Sequence, residues 1–487
     1  MSDLQHSKVV CSLFVFVIAL SLNGCGNDTE GTERPQSQDV MEDPLWYRSL
    51  SDAAMVLAAQ KRLDLMTSTS IPANRAGPIK DELALLCRSD SVVDLVEESF
   101  RRRKGVSNAQ LSAYMEIFGR IRHPRFARLL ADGLGEARQE VQMNALEAAV
   151  IQRSAELVPY LLEAFKSKDG YVGRKILSAL IGIDSPAARS AICKSVEHKE
   201  ESIAVMALSA VGGMQLTDAL PEVLKRIYDG PDQVRVMAAW AAARMGQSSG
   251  ARSLVRFAVD RSFSAKARAQ ALQNLTLLRW WGAGKGIRPL REATVAEVVL
   301  ESHVFLASAR DSDELVWLDQ ALEGDDPLDR DIALRVCGRT GDSADLLRVL
   351  AHREKLTPRE MVVFARSLLM GRPEGSLSFI AELIDTRPAL RLSLINLVGQ
   401  FGRPGLRVLE DQLDRDTGDD SAWTLSLIGA VGIVGHPEAE TVLKRFDASP
   451  DRRIWRFARE NIRLIEQRLL KSALPEYRRP TGNPAQR

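Results

Sequence analysis

Aromatic residues, cysteine and net charge are all scarce in this chain. Phe, Trp and Tyr together make up 6% of its 487 residues. Sheets favour aromatic and β-branched side chains, so their scarcity beside abundant Ala and Leu points to helices packed through small residues. There are five cysteines, two of them within the first 25 residues. Cys87, Cys193 and Cys337 lie far apart in apolar helical patterns, which reads as burial. With no CxxC pair and no His/Cys cluster at zinc spacing, a disulfide framework and a structural zinc site are both excluded. The formal net charge of +1 argues against a nucleic-acid binder, which would carry a strong positive balance. No segment alternates with period two for long enough to be a strand. Neither HExxH nor GxSxG occurs, and His123, His198, His303, His352 and His436 fall in different parts of the chain. His123 and His436 both precede proline, a shared place that assigns them to turns.

The apolar run at 9–22, VVCSLFVFVIALSL, falls short of the ~20 residues needed to span a bilayer. Lys8 before it and small residues after it give signal-peptide order. Leu22-Asn23-Gly24-Cys25 then resembles the bacterial lipobox. That resemblance implies cleavage before Cys25, a lipid on its sulfur and, with Gly26 rather than Asp after it, an outer-membrane address facing the periplasm. Residues 25–45 are polar and read as a disordered tether. Residues 46–106 read as a helical N-terminal cap and 473–487 as a disordered tail.

Between them, glycines recur at 119, 182, 213, 246, 341, 371, 402 and 435, at spacings near 31 residues or small multiples of it, as in stacked supersecondary units. Each is expected at the C′ position of a helix, where left-handed φ suits glycine. VRVMAAWAAARMG (234–246), LRLSLINLVGQFG (390–402) and IAVMALSAVGG (203–213) carry apolar residues at i, i+4 and i+8, a buried helical stripe. A short polar turn and a second helix follow, as in GARSLVRFAV (250–259) and GLRVLEDQL (405–413). Pro231-Asp232, Asp326-Pro327 and Asp419-Asp420 mark helix starts. The unit at 294–325 lacks its glycine. Trp280–Gly286, which superficially looks like a phosphate loop, lacks the Ser/Thr after Lys285 and a preceding strand, and falls where a turn is expected.

The pattern Val-Arg-x-x-Ala-x-x-Ala-x-x-x-Gly, turn, Ala-x-x-x-Leu resembles the short HEAT-like repeats of the phycobilisome-lyase type. The resemblance covers residues 107–472 and implies an all-α fold, a right-handed solenoid of helix pairs with a concave surface. One pair cannot bury its stripe alone, and stacking buries it at about 25 cal/mol per Å² of apolar area.

Aligned units make single residues stand out. Trp240 lies six positions after Val234, where other units carry Glu147, Ser178, Ser209, Gln273 and Asn396. That polar register faces solvent, on the concave side if the resemblance holds. Trp240 is therefore either packed on the next repeat or an exposed anchor for a partner. Arg235, Arg268 and Arg391 recur near helix starts, where similar repeats ladder arginine to turn aspartates; recognition is the alternative role. Together Trp240, Arg235, Arg268, Arg391, Glu147 and Gln273 form the candidate partner-binding set, with Cys25 the lipid attachment. The run RRIWRFARENIRLIEQR (452–468) reads as a solvated capping helix or, alternatively, a DNA contact, and the acidic stretch 311–331 as a solubilising face or a partner patch.

The expected function is a non-catalytic, membrane-tethered scaffold binding a protein or peptide in the bacterial cell envelope. No cofactor, metal, nucleic acid or small-molecule substrate is expected. Two alternatives remain, a lyase-like or chaperone subunit acting on a cofactor-bearing protein, and a nucleic-acid-binding HEAT-like protein.

Overall fold

The computed structural model describes residues 50–473, apart from short stretches at 68–72, 88, 103–106, 121–122, 137, 167–169 and 419. The expected signal peptide, Cys25, the expected tether and all but the first residue of the expected tail lie outside the described residues. Among those described there are 26 α-helices and no strand, and no helix long and apolar enough to cross a membrane.

The helices alternate between two layers. The even-numbered set is α2 (Ala73–Leu86), α4 (Asn108–Arg120), α6 (Gln139–Gln152), α8 (Gly170–Ile183), α10 (Glu201–Met214), α12 (Asp232–Arg244), α14 (Ala265–Leu277), α16 (Ala296–Ser308), α18 (Pro327–Arg339), α20 (Pro358–Gly371), α22 (Arg391–Gly399), α24 (Ser421–Val434) and α26 (Arg452–Ala473). The odd-numbered set is α1 (Asp52–Thr67), α3 (Asp90–Arg101), α5 (Pro124–Leu134), α7 (Val158–Phe165), α9 (Pro186–Ser195), α11 (Leu220–Arg226), α13 (Ser248–Val259), α15 (Gly284–Ile287), α17 (Ser312–Glu323), α19 (Ser343–Ala351), α21 (Ser376–Thr386), α23 (Arg403–Asp414) and α25 (Pro437–Leu443). Successive even helices pack against one another along the whole row, whereas successive odd helices beyond α3 touch only slightly. Closer spacing in one layer bends the stack toward it, so the even helices form the concave, inner layer. α26 packs on α24 and also on α2, so the first and last inner helices meet. The fold is an all-α solenoid of HEAT-like helix pairs.

Small residues set the inner spacing. A Cβ on Gly119 would lie 2.5 Å from Cα of Ala148, and one on Gly212 would lie 2.8 Å from Cα of Ala241. Gly338 and Gly399 likewise abut Ser367 and Ala430 of the next inner helix. This corrects part of the expected glycine role. Gly246, Gly341, Gly402 and Gly435 do have positive φ, but Gly119, Gly182, Gly213 and Gly371 do not. In units without a left-handed glycine at the expected place that conformation falls to Arg153, Asp184, Gln215, Arg279, Arg310 or Arg372. The N–H groups of Arg153, Gln215 and Arg372 bond Ala149, Val211 and Leu368 at their helix ends, which offsets a cost of about 1–2 kcal/mol for a left-handed residue bearing a Cβ.

Helix starts follow the sequence more directly. Asp326 accepts from the Leu328 amide, and Asp420 from that of Trp423. His123 and His436 use Nδ1 to accept from the amides two residues on, at 3.2 and 3.3 Å, and proline follows each at the first helical position. The expected turn at 280–286 is instead helical. A 3₁₀ turn at Trp281–Ala283, the short α15 and a second 3₁₀ turn at Arg288–Glu292 stand in for one outer helix. The core runs as a ribbon through three clusters that abut near Leu177 and Val304.

Candidate interaction surface

The polar register expected to face solvent lies on the inner helices. Glu147 and Asn396 are exposed, and Ser178, Ser209 and Gln273 are half-buried. These side chains also link neighbouring units. Lys175 Nζ on α8 lies 3.2 Å from Glu147 on α6. Gln273 Nε2 donates to Glu301 at 2.8 Å, and Arg339 donates to both oxygens of Glu301 at 2.8 and 2.9 Å. One buried carboxylate thus joins α14, α16 and α18.

Trp240 does not stand free on this face. Its ring lies over Gly212 of the preceding inner helix, where an added Cβ would come within 2.7 Å of the indole, and it packs against the central core. The indole Nε1 is buried without a hydrogen-bond acceptor. Of the two roles open to Trp240, the geometry is that of packing, directed onto the preceding unit rather than the next.

The three arginines are held within the fold. Arg268 is buried and donates to the Ala258 carbonyl at 3.0 Å, near the end of α13. Desolvation pushes its pKa below the usual arginine value, with nearby Arg261 adding to the effect. Arg235 donates to the Ile227 carbonyl after α11 and stacks its guanidinium over Phe263 at 4.5 Å. Arg391 pairs with Asp420 of the next unit at 2.8 Å and lies over Trp423. Only Arg391 forms the arginine–aspartate rung, while Arg235 and Arg268 bond helix-end carbonyls. The acidic stretch is similarly engaged: Arg288 holds Asp311, Arg348 holds Asp319, and Arg335 holds Asp331.

The described cysteines lie far apart in the stack. Burial raises the Cys87 and Cys337 thiols well above the ordinary range, so neither supplies thiolate near neutral pH. His123 is shifted down by desolvation and by Arg125, which suits a neutral ring accepting an amide at a helix start. Among the described residues no three His, Cys, Asp or Glu side chains are grouped so as to hold a metal.

Two features went unrecognised in the sequence. One is a buried polar cluster in the unit at 294–325. His303 Nδ1 lies 2.8 Å from Glu314 Oε1, the His303 ring stacks on Trp317 at 4.0 Å, and Arg291 stands 3.7 Å from the other carboxylate oxygen. The missing glycine and the acidic stretch 311–331 marked this unit in the sequence, but not the burial of Glu314. The other is a groove of about 880 Å³ between α22, α24 and the first half of α26, lined by Asn396, Leu425, Gly429, Trp455, Arg456 and Phe457 among others. The Arg-rich run was visible, but not that its arginines and aromatics share one groove with the inner register.

No known protein-family pattern matches the chain, and no curated protein matches its sequence. Solved structures do resemble it. YibA from E. coli is 14% identical with a TM-score of 0.37, covering 55% of this chain and 98% of that one. The CpcE–CpcF phycocyanin lyase complex from Nostoc is 16% identical with a TM-score of 0.29, covering 53% and 94%. Kap121p bound to Nup53p is 13% identical with a TM-score of 0.34, covering 81% and 49%. The likeness is one of helical-repeat architecture alone.

Proposed function

We propose that this protein is a non-catalytic interaction scaffold of the bacterial cell envelope, tethered by lipid on Cys25 and holding a protein or peptide partner on its inner face. One observation carries the reading. The inner helices present polar side chains at a recurring position, including Glu147, Ser178 and Asn396, on a row drawn together by close small-residue contacts. A curved face displaying adaptable polar groups suits recognition of an extended surface, and solenoids use their concave side in this way. The lipobox-like Leu22–Cys25 supports the tether, and Gly26 supports the outer membrane. Multiple acyl chains would make attachment effectively permanent, whereas a single chain is marginal.

Cell fractionation tests the tether. Cys25→Ala is expected to move the protein from the membrane to the soluble fraction, and unchanged retention overturns the lipid anchor. Mild crosslinking and isolation from membranes test the face. A variant carrying Glu147→Trp, Ser178→Trp and Asn396→Trp on the inner row is expected to lose a partner that survives Tyr160→Lys, Val316→Lys and Leu347→Lys on the outer helices. Loss from the outer variant alone overturns the inner-face reading.

A further inference from the structure

We propose that the groove between α22, α24 and α26 docks an acidic segment of a partner protein, with one apolar side chain seated among flanking carboxylates. This rests on the inner face being an interaction surface and specifies the chemistry at one end of it.

Charge comes first. Several arginines elsewhere in the stack are matched to acids, as Arg125 is to Asp94 and Glu97, Arg310 to Asp342 and Asp345, and Arg339 to Glu301. In the groove, Arg452 and Arg456 have no acidic partner among the described residues, and Arg453 reaches only Asp451, at 3.3 Å. Glu460 is the one carboxylate in the lining, against three guanidiniums. Arginine forks bind carboxylates in bidentate geometry, so an acidic ligand would complete what the fold leaves unmatched.

Apolar surface comes second. Trp455 and Phe457 are each 40% exposed, although both belong to α26, whose Ile454, Ala458, Ile462 and Ile465 are buried. Opposite them α24 presents Leu425, Ser426 and Gly429. Gly429 lies six positions after Trp423, as Trp240 lies six after Val234. The absent side chain leaves space, with the Phe457 ring 3.5 Å from where a Cβ would sit. Asn396, from the polar register, completes the neighbouring wall and can bond a peptide backbone. Aromatic and arginine side chains around a pocket are the usual composition of a binding hot spot.

A peptide fits better than a nucleic-acid strand. A strand needs a positive track that follows its phosphates, whereas here the positive charge is confined to α26. The facing wall is neutral.

The test is fluorescence anisotropy with the full-length protein and a fluorescein-labelled short peptide of Asp and Glu around a central Phe. Binding that weakens with salt is expected, as is weaker binding when the peptide's Phe is replaced by Ala. Arg452→Glu combined with Arg456→Glu is expected to lower affinity about tenfold or more. Gly429→Leu leaves the charge intact and fills the groove, and is expected to lower it comparably. Circular dichroism confirms that each variant keeps its helices, and if one fails to fold the other still decides. The proposal is overturned if the peptide does not bind, if both folded variants bind it as wild type does, if the Ala peptide binds equally well, or if a single-stranded oligonucleotide binds more tightly and displaces it. Failure here together with intact partner capture by the inner row would remove the groove but leave the scaffold reading standing.

Discussion

Two adjoining regions of the same stack solve the packing of inner helices in different ways. From α10 to α14 the contact is made by small apolar residues: Ala204, Ala207, Ala238, Ala239, Ala241, Ala242, Ala267 and Ala271 are buried, and Gly212 lets α12 approach α10. From α16 to α19 the apolar interior also encloses polar groups. Glu301, Ser302, His303, Glu314 and Asp345 are buried there, with Arg339, Arg291, Arg310 and Arg348 as ionic partners. Both regions keep the helix-pair period. The period therefore constrains where helices lie, not which chemistry fills the space between them. Small-residue contacts need close approach and gain little from any one side chain. Buried ion pairs need exact partners and lose much when one is removed.

The largest effect should come from unbalancing the polar region. Glu314→Ala removes the partner of His303 and Arg291 and is expected to cost about 3–5 kcal/mol. The loss is expected as a lower urea midpoint together with faster amide exchange in α16 and α17. A change below experimental error would mean that the cluster contributes nothing to stability. Next comes overpacking in the small-residue region. Gly212→Val drives a side chain into Trp240 and Ala241 and is expected to cost about 1–3 kcal/mol, with exchange rising in α10 and α12 while α16 and α17 stay protected. Opening in both regions at once would show that they are one cooperative unit.

Acid should separate the regions by a smaller margin. Burial opposes the charge on Asp311, but hydrogen bonds from Arg288 and from the amides of Glu314 and Asp313 outweigh it and hold its pKa below the ordinary 3.8. A carboxylate with a depressed folded pKa stabilises above its unfolded pKa, and that contribution fades as pH falls from there through the folded value. Exchange between pH 5 and pH 3 should therefore rise at the start of α17 before it rises in α10–α14. Asp311→Asn keeps a helix cap but loses the charge, and should remove this acid response at a cost of about 1 kcal/mol or less at neutral pH. An equal acid response in the variant would assign the sensitivity to other groups.

What the sequence revealed follows the same division. The period, the polar register at Glu147, Gln273 and Asn396, and the His-Pro and Asp-Pro helix starts were legible because each depends on residues within one unit. The position of Trp240 was not, because the glycine that receives it lies in the unit before. The left-handed residues Arg153, Gln215 and Arg372 were hidden for a related reason: local hydrogen bonding and packing, not residue type, hold them there. The ion pairs of Glu314 and Glu301 join different helices, and a lone glutamate in an apolar stripe does not announce its partner. The groove needed α22, α24 and α26 placed side by side before Arg452, Arg456, Trp455 and Phe457 became one surface.

The central claim is that the inner helices form the working face. Photocrosslinking in intact cells tests it most directly, with a photoreactive residue placed at Asn396 on α22 and, separately, at the exposed Leu347 on the outer α19. The account predicts a discrete protein adduct from Asn396 and none from Leu347. Adducts from Leu347 with none from Asn396 would contradict it.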